Sequence, residues 1–153
     1  MTNEQSFQTF VDLSAALTGF ASDVINPPLD PQALAQQYYN TLIANISAAL
    51  VNQLLTTFQS IETASGGDPQ KEAAMIEQQI MQNADIGPVA RRIIRMWYLA
   101  TWYTTEPPDP NGDGQVISMN AYTRGLAWTA FEAHPMGYSE MHYGYWADPP
   151  VTN

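Results

Sequence analysis

Between Pro31 and Gly66 the chain contains neither glycine nor proline, and Leu34, Tyr38, Leu42, Ile46 and Leu50 recur at every fourth position. That spacing draws one apolar stripe along an α-helix. Asp30-Pro31 supplies the start, with Asp as N-cap and Pro at the first helical position. The segment is either one very long helix to about Ser65 or two helices divided near Ser47 or Thr56, and the division is preferred.

The remaining segments follow the same grammar. Phe7, Phe10, Val11, Ser14 and Leu17 define a helix that closes at Gly19, and Phe20 to Leu29 reads as a connection. Asp68-Pro69 opens a shorter helix through Ala73, Ile76 and Ile80 that fades at Asn83. From Pro88 to about Thr104 the arc of Ile93, Ile94, Trp97, Tyr98, Thr101 and Trp102 is wide enough to predict a central, surrounded helix. Pro107 to Gly114 is a loop, Ser118 caps a helix over Met119 to Ala133, and Pro135 stops it. Val116-Ile117 is the only strand-like pair and is too short to build a sheet. The expectation is an all-α single domain over 1–153: a bundle of five to six helices in 1–134 and an irregular aromatic and proline tail in 135–153.

Bulk properties narrow the function. A chain of 153 residues supports one core without staples. Fifteen acidic against five basic residues give a net charge of −10, which repels phosphate backbones and anionic lipid, so neither nucleic acid nor direct membrane binding is expected. There is no cysteine, hence no disulfide, thiolate metal site or thiol nucleophile. No apolar window is long enough to span a bilayer, and the acidic start Met1-Thr-Asn-Glu is not a secretory signal.

Few constellations could carry chemistry. Asp109, Asn111, Asp113 and Gln115 occupy the first ligand positions of an EF-hand-like loop with glycine at the sixth, a candidate calcium clip. The twelfth position is Asn120, which cannot supply the bidentate carboxylate, and such residues also make ordinary polar turns. Arg91 and Arg95 share a helix face beside Arg92, either as a spot that grips a partner carboxylate or as partners of acids within the chain. Glu132, His134, Glu140 and His142 could be drawn as a metal or catalytic group, but loop spacing gives them no defined geometry. No dinucleotide fingerprint, P-loop or nucleophile elbow is present, so no cofactor is expected on this chain, and Trp97, Trp102 and Trp128 read first as packing.

The tail is different. Tyr138, Met141, His142, Tyr143, Tyr145 and Trp146 crowd into a stretch punctuated by glycines and Pro149-Pro150. It cannot be a regular helix, and its aromatics need a cover, from this domain or from another protein.

Four blocks then carry a resemblance. Phe10-Val-Asp-Leu-Ser-Ala-Ala-Leu-Thr-Gly19, Ala90-Arg-Arg-Ile-Ile-Arg-Met-Trp-Tyr-Leu-Ala-Thr-Trp-Tyr103, Tyr122-Thr-Arg-Gly-Leu-Ala-Trp128 and Gly144-Tyr-Trp-Ala-Asp-Pro-Pro150 resemble, in order, the small subunit of bacterial FAD-dependent sugar and polyol dehydrogenases, among them the sorbitol, fructose and glucose enzymes. The resemblance implies a non-catalytic subunit that binds, stabilises and helps to mature a large flavoprotein of the glucose-methanol-choline type, which holds the FAD. It also implies a periplasmic complex, often completed by a cytochrome subunit. This sequence departs from the family pattern in lacking a twin-arginine leader and in having Ser139 where a tail cysteine is common, so association is expected to be non-covalent. The alternative function is a stand-alone, calcium-stabilised protein-binding module.

Overall fold

The computed structural model describes residues 2–109, 111, 112 and 114–136. Its helices are α1 (Asn3–Thr18), α2 (Ser22–Ile25), α3 (Leu34–Asn45), α4 (Ala48–Ser65), α5 (Pro69–Ile76), α6 (Gly87–Leu99), α7 (Met119–Thr123) and α8 (Leu126–Ala130). A π-helical turn, Glu77–Met81, continues α5, and two short strands, β1 (Thr101–Trp102) and β2 (Gln115–Val116), pair antiparallel. The fold is all-α, as expected, with this ribbon as its only sheet among the described residues.

The helix signals act locally wherever a side chain can reach its own first turn. Thr2 and Gln5 form a reciprocal capping box on α1. Asp68 accepts from the amides of Gln70 and Lys71 with Pro69 in the first turn, and Ser118 Oγ accepts from Ala121 N at 3.1 Å. The long apolar segment is indeed divided: Ile46 turns extended, and Ser47 caps α4 through Leu50 N.

Four expectations are corrected. The connection predicted over Phe20 to Leu29 holds the one-turn helix α2, where Asn26 N donates to the Ser22 carbonyl at 2.8 Å. The helix predicted from Pro31 begins at Leu34: Asp30 Oδ1 does accept from Gln32 N at 3.1 Å and from Arg124 at 2.7 Å, but Ala33 is left-handed, φ 47°, and the helix starts only after it. Asp30 still caps α3 from a distance, with Oδ2 accepting from Leu34 N at 2.9 Å. Burial pushes the Asp30 carboxyl up, but hydrogen bonds from Leu34, Arg124 and Gln32 outweigh it and hold it below the ordinary value. The helix predicted to Thr104 ends at Leu99: Ala100 is left-handed, φ 52°, and Thr101-Trp102 leaves as a strand. The single helix predicted over 119–133 is two short ones, because the chain at Gly125 passes so close to α6 that a Cβ there would lie 2.9 Å from the Tyr98 carbonyl oxygen.

The core lies where α6 meets α1, α3, α8 and the π turn. Phe10, Leu13, Tyr38, Leu42, Leu54, Phe58, Ile93, Met96 and Trp97 are all buried in it. At its centre the Tyr38 and Trp97 rings meet edge to face, centroids 4.5 Å apart. Burial pushes the Tyr38 phenol well above its usual range, and its hydroxyl finds no hydrogen-bond partner among the described residues. Removing an unsatisfied buried hydroxyl relieves a desolvation cost. The variant Tyr38→Phe is therefore expected to unfold in urea at the wild-type midpoint or above it, by up to about 1 kcal/mol. A loss beyond about 1 kcal/mol would mean that the hydroxyl has a partner after all.

Candidate functional site

Arg91 and Arg95, one turn apart on α6, converge on Glu106. Arg91 Nε lies 3.2 Å from Glu106 Oε1, Arg95 Nη2 donates to the same oxygen at 3.0 Å, and Arg95 Nη1 pairs with Oε2. Arg91 Nη1 also donates to the Met81 carbonyl at 3.0 Å. The Glu106 side chain is 6% exposed, so the guanidinium edges that could grip a foreign carboxylate are engaged within the chain. Sequence reasoning did not single out Glu106. It follows the arginine-bearing helix in the β1–β2 loop, and the surplus of acids hid it.

In the candidate calcium loop Asp109 turns inward on its own backbone. Its Oδ1 accepts from Asn111 N at 2.8 Å and from Asn111 Nδ2 at 3.1 Å, and its N–H donates to Thr105 Oγ1. Gln115 is committed to β2 opposite Trp102, and Asn120 Nδ2 donates to Gln32 Oε1 at 2.7 Å, away from the loop. Asp113 lies outside the described residues. Among the described residues no three acidic or histidine side chains gather around a common point. With Asp109 and Asn111 satisfied by each other, calcium is expected to leave the melting temperature unchanged; a rise with binding heat in calorimetry would restore the calcium reading.

His134 is half-buried after α8, whereas His142 and the tail positions Tyr138, Met141, Tyr143, Tyr145 and Trp146 lie outside the described residues. Where the description ends, Tyr122 Oη donates to the Met136 carbonyl at 2.9 Å, and the Tyr122 ring meets Trp128 edge to face. Leu99, Val116, Met119, Phe131 and Met136 are exposed, all of them in or after the end of α6, and Phe131 and Met136 are 79% and 76% accessible. Between the ribbon and α3 opens a groove of about 510 Å³, lined by Asn40, Thr41, Asn45, Trp102, Gln115 and Val116 with two neighbours. None of its lining residues is charged. Sequence reasoning missed it, since carboxamides on a helix and on a strand give no local sign that they will face each other.

Each longer helix begins on side chains of its own chain. Thr2 and Gln5 close α1, Asp30 and Asp68 put carboxylates on α3 and α5, and Ser47 caps α4. Ahead of α6, Asn83 accepts from Ile86 N through its side chain and from Gly87 N through its carbonyl, and Pro88 has no N–H to offer.

The family model for membrane bound FAD containing D-sorbitol dehydrogenase matches residues 1–150. This chain belongs to that family. The match spans all four sequence blocks that resemble the small subunit of such dehydrogenases. No curated protein and no solved structure matches the chain.

FAD, which the sorbitol dehydrogenase family name includes, does not fit the described residues. A dinucleotide seats its pyrophosphate on a free helix N-terminus at the end of a parallel strand. Here the strands are antiparallel and two residues long, and carboxylates that repel phosphate stand at the starts of α3 and α5. Nor is any helix among the described residues long and apolar enough to cross a membrane.

Proposed function

We propose that this member of the sorbitol dehydrogenase family is a non-catalytic accessory subunit that binds, stabilises and assists the maturation of a large FAD-dependent sugar or polyol dehydrogenase. The observation that carries the reading is the pairing of a family match over residues 1–150 with longer helices whose N-termini are all taken by their own chain. In this reading the flavin and the catalytic base sit on the larger polypeptide, and membrane attachment falls to a further subunit such as a cytochrome. The complex works in the periplasm.

The surface for the large subunit is built from the part of the chain after Leu99. Met119, Phe131 and Met136 are exposed there, and the sequence runs on into Tyr138, Met141, His142, Tyr143, Tyr145 and Trp146. Large rigid aromatic side chains supply contact area at low entropic cost, which suits interface anchors. Arg91 and Arg95 serve this surface indirectly, by fixing the β1–β2 loop through Glu106.

Co-purification tests the reading. A tagged copy of this chain is expected to retain a large FAD-dependent dehydrogenase from its own cells, and Phe131→Ser together with Tyr143→Ser to reduce that retention. Purification of the flavoprotein as an active holoenzyme with no affinity for this chain would sink it.

A further inference from the structure

The groove between the ribbon and α3 has a feature its side chains alone do not convey. Ile117 N donates to the Ala100 carbonyl at 3.0 Å, and Thr101 pairs with Val116 while Trp102 pairs with Gln115. That pattern makes Thr101–Val116 the non-hydrogen-bonded pair of the antiparallel ladder, so Val116 directs both its N–H and its C=O away from β1. Val116 is 56% exposed and lines the groove. Among the described residues no third strand pairs with this edge of β2, which borders the groove.

The opposite wall offers matching groups. On α3, Asn40 accepts from Gln36 through Oδ1 at 2.9 Å, which turns its amide group outward as a donor. Asn45 donates to the Thr41 carbonyl through Nδ2 at 2.8 Å and so presents Oδ1 as an acceptor. Buried Trp102 lies beneath, and the Ser118–Gln37 side-chain bond, 3.0 Å, ties the ribbon to α3. The ribbon itself is firmly held: the Tyr103 ring covers Gly114 so closely that a Cβ there would lie 2.7 Å from it.

The geometry points to a strand-addition site: an extended, uncharged segment of the large flavoprotein subunit lies in this groove, pairing its backbone with Val116 and presenting its other edge to Asn40 and Asn45. Main-chain amides need a donor and an acceptor at one residue on one side and the same pair on the other, which is what the two walls supply. A charged segment has no counter-ion here, because every lining residue is neutral. The inference rests on the accessory-subunit reading and gives it a specific contact, separate from the aromatic tail.

Proline at an edge position removes the N–H that a new strand would use without breaking a ladder bond. Val116→Pro is expected to weaken the complex with the flavoprotein by about tenfold or more in a titration, with the free chain melting close to wild type. Val116→Thr, which keeps the N–H, should bind within a few fold of wild type. Ala44→Trp fills the groove from α3 without altering the ribbon's own residues and should weaken the complex likewise, so the test survives if the proline variant fails to fold. In the wild-type complex the Val116 amide should exchange more slowly than in the free chain. Wild-type affinity in both Val116→Pro and Ala44→Trp would overturn the groove while leaving the tail surface standing; no affinity in the wild type would overturn the subunit reading itself. If D-sorbitol alone shifts the Asn40, Asn45 and Gln115 amide resonances of the free chain, the groove is a polyol site and the strand-addition proposal is wrong.

Discussion

Trp97→Ala is expected to cost about 3–5 kcal/mol of folding stability. Trp97 is 2% exposed at the point where α6 meets α3, and its edge-to-face contact with Tyr38 adds about 0.5–1.5 kcal/mol beyond simple burial. Its indole N–H has no partner among the described residues, so within them the loss is one of packing. At the size of this domain that corresponds to a fall in melting temperature on the order of 10 °C, a large share of a typical domain's total stability. Trp97→Phe should lose clearly less, because it keeps a ring against Tyr38. Calorimetry showing Trp97→Ala within a few degrees of wild type would mean that the core is organised around another element.

Glu106→Gln is expected to cost roughly 1–3 kcal/mol. One partner of an enclosed ion pair normally costs about 3–5 kcal/mol to remove, but Arg91 and Arg95 are 38% and 28% exposed, and water takes over part of their solvation. The substitution keeps the shape of the side chain and removes its charge, so the loss reports the pairing itself. Its second signature is local: amides of residues 103–109, in the loop that Glu106 anchors, should exchange faster while those of α1 and α4 do not. Arg95→Lys should reproduce much of the effect, since an ammonium cannot match the two-pronged contact. If Glu106→Gln melts with wild type and the loop amides are unmoved, the β1–β2 loop is held by something other than this pair.

The sequence is legible where a side chain acts on its own neighbourhood. Asp68-Pro69, Ser118 and the break at Ser47 all behave as their residue types require, because the cap and the amides it serves are within three residues. It fails where distant chain segments decide. Asp30 carries the same start signal as Asp68 and still accepts from Gln32 N, but it also pairs with Arg124, 94 residues away, Ala33 turns left-handed, and α3 begins later. Trp102 continues the apolar period of α6 because it is buried, but it is buried from a strand; periodicity records burial and not the backbone that achieves it.

The candidate site divides along the same line. Arg91 and Arg95 were visible as a cationic pair, but Glu106, which decides what they do, sits in a loop with no pattern to mark it. The carboxamides of Asn40 and Asn45 are unremarkable on a helix until the ribbon arrives opposite them. The family, by contrast, was readable from four ordered blocks, all within the span that the family model matches.

The most direct measurement is the yield of flavin-loaded large subunit when it is expressed with and without this chain. If the chain is a maturation subunit, co-expression raises the soluble, flavin-loaded and active fraction several-fold, and Trp97→Ala, which destabilises the chain, reduces the gain. Equal yields of active holoenzyme with and without the chain would contradict an accessory role in maturation.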